Sequence, residues 1–122
     1  MVKELVWAGF DLVSRANNHA GDFGPLGSQL TSRYVREAGL VEAGVGNSLA
    51  EAREARFLET PRARIVLIAA ASTFTPSSRA GNTRGDMPAR PGLSPLRFTT
   101  TYVVTPDRLA DLKRVASELS GQ

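Results

Sequence analysis

The sequence predicts an α/β fold, and three observations carry that expectation. Amphipathic segments alternate with short apolar runs, and glycines fall where helices should stop. One run, Ile65-Val66-Leu67-Ile68-Ala69-Ala70-Ala71, is apolar without alternation, the pattern of a strand covered on both faces. The 122 residues, 42% hydrophobic and 22% charged, fit a single domain with a core.

Taken in order, Val2 to Ala8 reads as a short helix with Leu5 three positions from both ends and Gly9 placed to stop it. Phe10 to Ser14 is the first strand. Pro25 opens a second helix in which Leu26, Leu30 and Tyr34 recur four apart beside Val35 and Ala38, and Gly39 closes it. Leu40 to Ala43 is a short strand ending in Gly44-Val45-Gly46. Ser48 and Glu51 have the spacing of a capping box, so a helix is expected from Leu49 to about Arg56. Phe57 to Thr60 is a brief strand, and Ile65 to Ala71 is the expected centre of a largely parallel sheet. Phe74 to Leu96 holds four prolines and three glycines and reads as a long irregular loop. Arg97 to Thr105 has strand composition. Thr105-Pro106-Asp107 then starts a last helix with an apolar stripe of Leu109, Leu112, Val115, Ala116 and Leu119.

Composition excludes several chemistries. Without cysteine there is no disulfide, thiolate nucleophile or cysteine zinc knot. No apolar run approaches the ~20 residues that span a bilayer. The net charge of +3 traces to Pro76–Phe98, which carries Arg79, Arg84, Arg90 and Arg97 against one acid, Asp86. That segment reads as a solvated loop before it reads as a polyanion contact. Nucleic acid is disfavoured, since no helix is basic along one face and no aromatic platform accompanies the arginines.

Chemistry-bearing residues gather in Ala16-Asn17-Asn18-His19-Ala20-Gly21-Asp22-Phe23-Gly24, which contains the sole histidine. In an α/β fold the loops at the carboxyl ends of strands collect functional groups, and this loop follows the first strand. Ser72-Thr73 follows the apolar run in the same way. An asparagine carbonyl and an imidazole can both ligate a divalent metal, the imidazole can instead protonate a leaving oxygen, and Asp22 suits either a ligand or an orienting partner. A zinc site needs three or four protein ligands, so residue chemistry alone favours a structural loop with a hydrogen-bonded histidine over catalysis. Gly44-x-Gly46-Asn47-Ser48 before a helix is a second, weaker candidate, as an anion nest. A triad of Ser14 or Ser72 with His19 and Asp22 has no support from spacing.

The stretch Gly9 to Gly24, with Ala16-Asn17-Asn18-His19 and Asp22 at its centre, resembles the bacterial capsule-synthesis proteins of the CapA/PgsA type. The resemblance continues through Glu37-Ala38-Gly39-Leu40, Gly44-Val45-Gly46-Asn47, Leu49 to Arg53, Ala71-Ser72-Thr73 and Arg90-Pro91-Gly92-Leu93-Ser94-Pro95-Leu96-Arg97, which resembles the loop of one subgroup, usually written with asparagine where Ser94 stands. It implies a partial calcineurin-like metallophosphoesterase α/β sandwich, with residues 1–122 the middle of a larger domain. It also implies a role in poly-γ-glutamate capsule production, as a metal-dependent hydrolase when complete. The alternative is a non-catalytic module that binds or assembles an anionic polymer. Carried over residue by residue, His19 is catalytic, Asn18 and Asp22 are metal-site residues, and Asn17, Arg79 and Arg90 are candidates for substrate contact. Asp22 belongs to the capsule-type pattern without a firmly assigned role. The implied cofactor is Mn, Zn or Fe; the implied partners are a phosphoester or poly-γ-glutamate and other capsule-synthesis proteins. Members of the family are often anchored at the cell envelope. The family's upstream Gly-Asp strand end and downstream paired histidines have no counterpart here, so this chain is expected to hold only part of a metal site.

Overall fold

The computed structural model describes residues 2–120. It is a mixed α/β structure with the order α1 (Val2–Trp7), β1 (Leu12–Ser14), α2 (Gly24–Glu37), β2 (Val41–Ala43) and β3 (Val45–Gly46), then α3 (Leu49–Arg53), β4 (Arg56–Glu59), β5 (Arg64–Leu67), β6 (Gly92–Leu93) and α4 (Pro106–Ser120).

The two glycine stops work as the sequence predicts. Gly9 and Gly39 take φ of +84° and +82°, a region other residues enter at a cost. At the first, Gly9 N–H donates to Val6 O and Phe10 N–H reaches back to Leu5 O. At the second, Gly39 N–H donates to Arg36 O and Leu40 N–H to Val35 O. These paired bonds satisfy carbonyls that a helix end leaves open and turn the chain toward β1 and β2. The resulting strands lie parallel, with Leu12 beside Val41, Val13 beside Glu42 and Ser14 beside Ala43. Helix α2 connects them, which makes β1-α2-β2 one βαβ unit.

Beyond that unit the expectation of a largely parallel sheet fails. β3 pairs antiparallel with β6, and β4 pairs antiparallel with β5. Within 65–71, only the first three residues lie in a strand: β5 spans Arg64–Leu67, folded back on β4 through a turn in which Thr60 N–H donates to Ala63 O. Pro61 presets φ at the second position of that turn, a local signal that outweighs the apolar run. Nor is the run covered on both faces, since Ile65, Val66 and Ile68 are all exposed. β4 is the sole strand paired with β5 among the described residues, Ala71 makes a single bridge to Pro95, and two strands alone cannot bury two faces. Helix α3 stops at Arg53, short of the expected Arg56, because Arg56 has already joined β4.

Residues 97–105 form no strand, as no edge in the described residues lies beside them to supply ladder bonds. α4 starts at Pro106 as expected, yet Leu109, Leu112, Val115 and Leu119 all stay exposed. Leu26, Leu30 and Tyr34 of α2 also face outward, and the helix packs instead through Ser32 and Val35.

The segment 74–96 is irregular but not structureless. Bridges link Arg79 to Leu93, Gly81 to Arg90 and Arg84 to Met87, the last across a tight turn at Gly85, where φ is +57°. Leu93 is the largest fully buried side chain, at 0% exposure, and forms a core cluster with Val45 and Ala71. The Pro/Gly content correctly marks a loop, but the apolar Leu93 inside it supplies the centre of the core. Ser94 N–H donates to Gly44 O and Ala71 N–H to Ser94 O, which ties the loop to the carboxyl ends of β2 and of the 65–71 run.

Candidate functional site

The Asn-Asn-His loop leaves the carboxyl end of β1. Arg15 N–H donates to Ala43 O at 2.9 Å, which extends the β1–β2 ladder one residue into the loop. Successive turns follow, with Ala20 N–H on Asn17 O, Asp22 N–H on His19 O and Gly24 N–H on Gly21 O. Asn17 Oδ1 accepts from His19 N–H at 2.9 Å, the local side-chain turn that asparagine forms readily. Ala16 and Ala20 pack on the Val45–Ala71–Leu93 cluster beside Phe74. Thus the two loops expected at strand ends, after β1 and after the 65–71 run, do converge on one core.

His19 sits on this turn with its ring held from both sides. Nδ1 lies 2.8 Å from Asp22 Oδ2, and Nε2 lies 3.2 Å from Asn18 Nδ2. An ionised carboxylate only accepts, so Asp22 places a proton on Nδ1. The neutral ring then offers the Nε2 lone pair, which the Asn18 amide N–H meets. The side chains of His19 and Asp22 are 75% and 52% exposed. A pair that open contributes about 0–1 kcal/mol at most to stability. Its consequence is orientation: a fixed tautomer, with the Asn18 carbonyl open to a ligand and Nε2 open once the exposed Asn18 amide turns away.

Neighbouring residues hold the loop in place. Arg15 Nη1 donates to Glu42 Oε2 and to Ser32 Oγ, both at 2.9 Å, and with Nη2 reaches Ser28 O at 3.5 and 3.4 Å. One guanidinium therefore joins the loop's first residue to β2 and α2. Sequence reasoning missed this strut, although an acid inside the apolar stretch 40–43 was a signal that a buried partner was needed. Gly44, with φ of +92°, lies so close that a Cβ there would sit 2.6 Å from Ala16 Cβ and 3.0 Å from Ala16 N. A Cβ on Gly21 would fall 2.2 Å from Ser78 Oγ, which shows how tightly the arginine-bearing loop abuts the histidine loop.

That contact brings the Arg79 and Arg90 segments toward the site, in different roles. Arg90 Nε donates to Arg79 O at 3.0 Å and Nη2 to Pro76 O at 3.3 Å, so its guanidinium staples its own loop. The Arg79 guanidinium has no hydrogen bond or ion pair among the described residues, and its backbone pairs with Leu93. Asn17 spends Oδ1 on the turn and keeps its amide N–H groups. Neither Ser14 nor Ser72 hydrogen-bonds His19, so the structure assembles no serine triad.

The anion-nest expectation at 44–48 loses the donors around the helix start that are spent within the protein. Glu51 N–H donates to Ser48 Oγ at 3.1 Å and Asn47 N–H to Glu51 Oε2 at 2.8 Å, a variant of the expected capping box. Ala50 N–H donates to Asn82 Oδ1 at 3.0 Å. The polar side chains serve the helix start, not a phosphate.

Among the described residues no group of three or more His, Cys, Asp or Glu side chains is arranged to hold a metal. Asn18 and His19 offer two donors, fewer than the three or four of a protein metal centre, and Asp22 is engaged with His19. Among the described residues they supply only part of the ligand set of a metal centre.

A strand-end loop presenting an oriented histidine between an asparagine and an aspartate, on a βαβ unit, is the local geometry; comparison with known proteins gives it a family. The model of the bacterial capsule synthesis protein family PGA_cap matches residues 1–120, and the chain belongs to that family. Two uncharacterized proteins of Sinorhizobium fredii, y4sH and y4uA, are each 47% identical over 116 residues, covering 95% of this chain and 25% of their own length. The chain thus spans about a quarter of the curated relatives it matches.

Proposed function

We propose that this chain is one portion of a larger capsule-synthesis domain with calcineurin-like metallophosphoesterase architecture, in which Asn18 and His19 contribute to a composite site and Asp22 positions His19. The supporting observation is the 2.8 Å Nδ1–Asp22 contact on an exposed turn, an arrangement that adds little stability but presets a tautomer. With Nδ1–H held, the Nε2 atom takes up or delivers a proton at a reacting oxygen. A divalent metal such as Mn, Zn or Fe would polarise a phosphoester there, and its remaining ligands would come from polypeptide beyond these residues.

The uncovered apolar faces of α2, β5 and α4 support the larger domain, because faces of this kind need a packing partner. In this reading the substrate is a phosphoester or poly-γ-glutamate and the working place is the cell envelope, alongside other capsule-synthesis proteins. The test is polymer yield in a cell whose capsule depends on the protein. His19→Ala is expected to lower yield at least 100-fold, and Asp22→Asn about 10- to 100-fold, the scale of lost general acid–base help. Wild-type yield from His19→Ala at equal protein level refutes the reading.

One observation favours the second reading, a non-catalytic module for an anionic polymer. Arg79, Arg84 and Arg97 have no ion pair among the described residues, so their charge is open to an acidic chain. That reading predicts salt-sensitive poly-γ-glutamate binding that survives His19→Ala and is lost when Arg79, Arg84 and Arg97 are changed together.

A further inference from the structure

A cavity of about 510 Å³ lies away from His19, between α2 and the β3–α3 turn, over β2. That volume is within the range of small-molecule sites, roughly 300–1,000 Å³. Gln29, Ser32 and Arg36 line it from one face of α2, at spacings of three and four residues. Asn47, Glu51 and Arg56 line the opposite wall, and Val41, Val45 and Pro91 add apolar surface.

The charges on these walls are unequally matched. Glu42 is claimed by Arg15 at 2.9 Å, and Arg56 by Glu54 at 2.9 Å with Glu51 at 4.0 Å. Arg36 is left with the weakest partner, the same Glu42 at 3.8 Å, while its Nε donates to Ser32 O at 3.1 Å. Its two terminal nitrogens have no hydrogen bond among the described residues. Across the cavity, Asn47 Oδ1 accepts from Gln29 Nε2 at 2.8 Å, which leaves the Asn47 amide N–H groups without an acceptor. The side-chain groups left without a partner among the described residues are therefore mainly donors, headed by a guanidinium fork.

We propose that this cavity is a binding site for a small organic carboxylate, gripped by the Arg36 fork with help from Asn47 and resting its aliphatic part on Val41, Val45 and Pro91. A guanidinium fork matches the two oxygens of a carboxylate. Glu42 and Glu51 in the walls select for a single negative charge, because a dianionic phosphate would meet both acids with only one under-paired cation. This site is separate from the His19 loop, and its occupancy does not depend on any chemistry there.

The test keeps the alkyl body constant and varies the head. Hexanoate, hexyl phosphate, hexanol and hexylammonium are titrated at low salt into ¹⁵N-labelled protein, and the backbone amide shifts of Ser32, Arg36 and Asn47 are followed. Hexanoate is expected to give saturable one-to-one shifts at these amides, with hexanol and hexylammonium giving none. Arg36→Gln is expected to weaken hexanoate at least tenfold, and Arg36→Lys less, since it keeps the charge but loses the fork. The Arg36 side chain is 66% exposed, so both variants should fold, which circular dichroism checks. Equal binding of hexanol, tighter binding of hexyl phosphate, or unchanged affinity in folded Arg36→Gln each overturns the proposal.

Discussion

Removing the Arg15 guanidinium tests the strut that sets the histidine loop on its strand pair. In Arg15→Met, Glu42 loses its 2.9 Å partner while its side chain remains only 12% exposed, and Ser32 Oγ loses a donor at the same distance. Orphaning a buried charge costs about 3–5 kcal/mol. Two features reduce that figure: residual water access, and Arg36 waiting 3.8 Å away as a substitute cation. A loss of about 2–3 kcal/mol is expected, read as a lower urea midpoint at unchanged slope. Glu42→Gln alone should cost about 1–2 kcal/mol, as a charge-assisted bond becomes a neutral one. The double variant Arg15→Met/Glu42→Gln separates the interaction from simple truncation, since it removes both charges together. It should be less destabilised than the sum of its parts by at least about 1 kcal/mol. Additivity within about 0.5 kcal/mol would refute the claim that these two side chains act as one unit. So would a slope change without a midpoint shift, which would place the effect in the unfolded chain.

Two glycine and core positions extend the same reasoning. Gly44→Ala combines a left-handed backbone with a Cβ placed 2.6 Å from Ala16 Cβ and 2.9 Å from Ala69 Cβ, and should cost about 2–4 kcal/mol in the same urea assay. A wild-type midpoint would mean that the loops at the strand ends can separate freely. Leu93→Ala empties the centre of the buried cluster and should cost about 2–5 kcal/mol, with loss of protection at the Ala80 and Ser94 amides in hydrogen exchange. A change under about 1 kcal/mol would show that segment 74–96 does not contribute to the core.

The sequence by itself determined the local structure and the family. Gly9 and Gly39 stop helices because only a residue without a Cβ enters their backbone region cheaply, and that requirement is visible one residue at a time. Ser48 and Glu51 announce the start of α3 for a similar local reason. The Asn17–Asp22 block marks the strand-end loop and carries the resemblance that the PGA_cap match bears out. Tertiary structure decided everything that needs a distant partner. Apolar composition placed Ile65–Ala71 at the middle of a sheet and Arg97–Thr105 in a strand, but a strand exists only where a second backbone edge accepts its hydrogen bonds. β4 supplies that edge to the first run, in hairpin sense, and none of the described residues supplies it to the second. The same dependence explains the site: the His19–Asp22 contact closes within one local turn, whereas the Arg15–Glu42 strut and the packing of Gly21 on Ser78 arise from three-dimensional closure. Local backbone demands are written in single residues; pairing and burial depend on which surfaces meet.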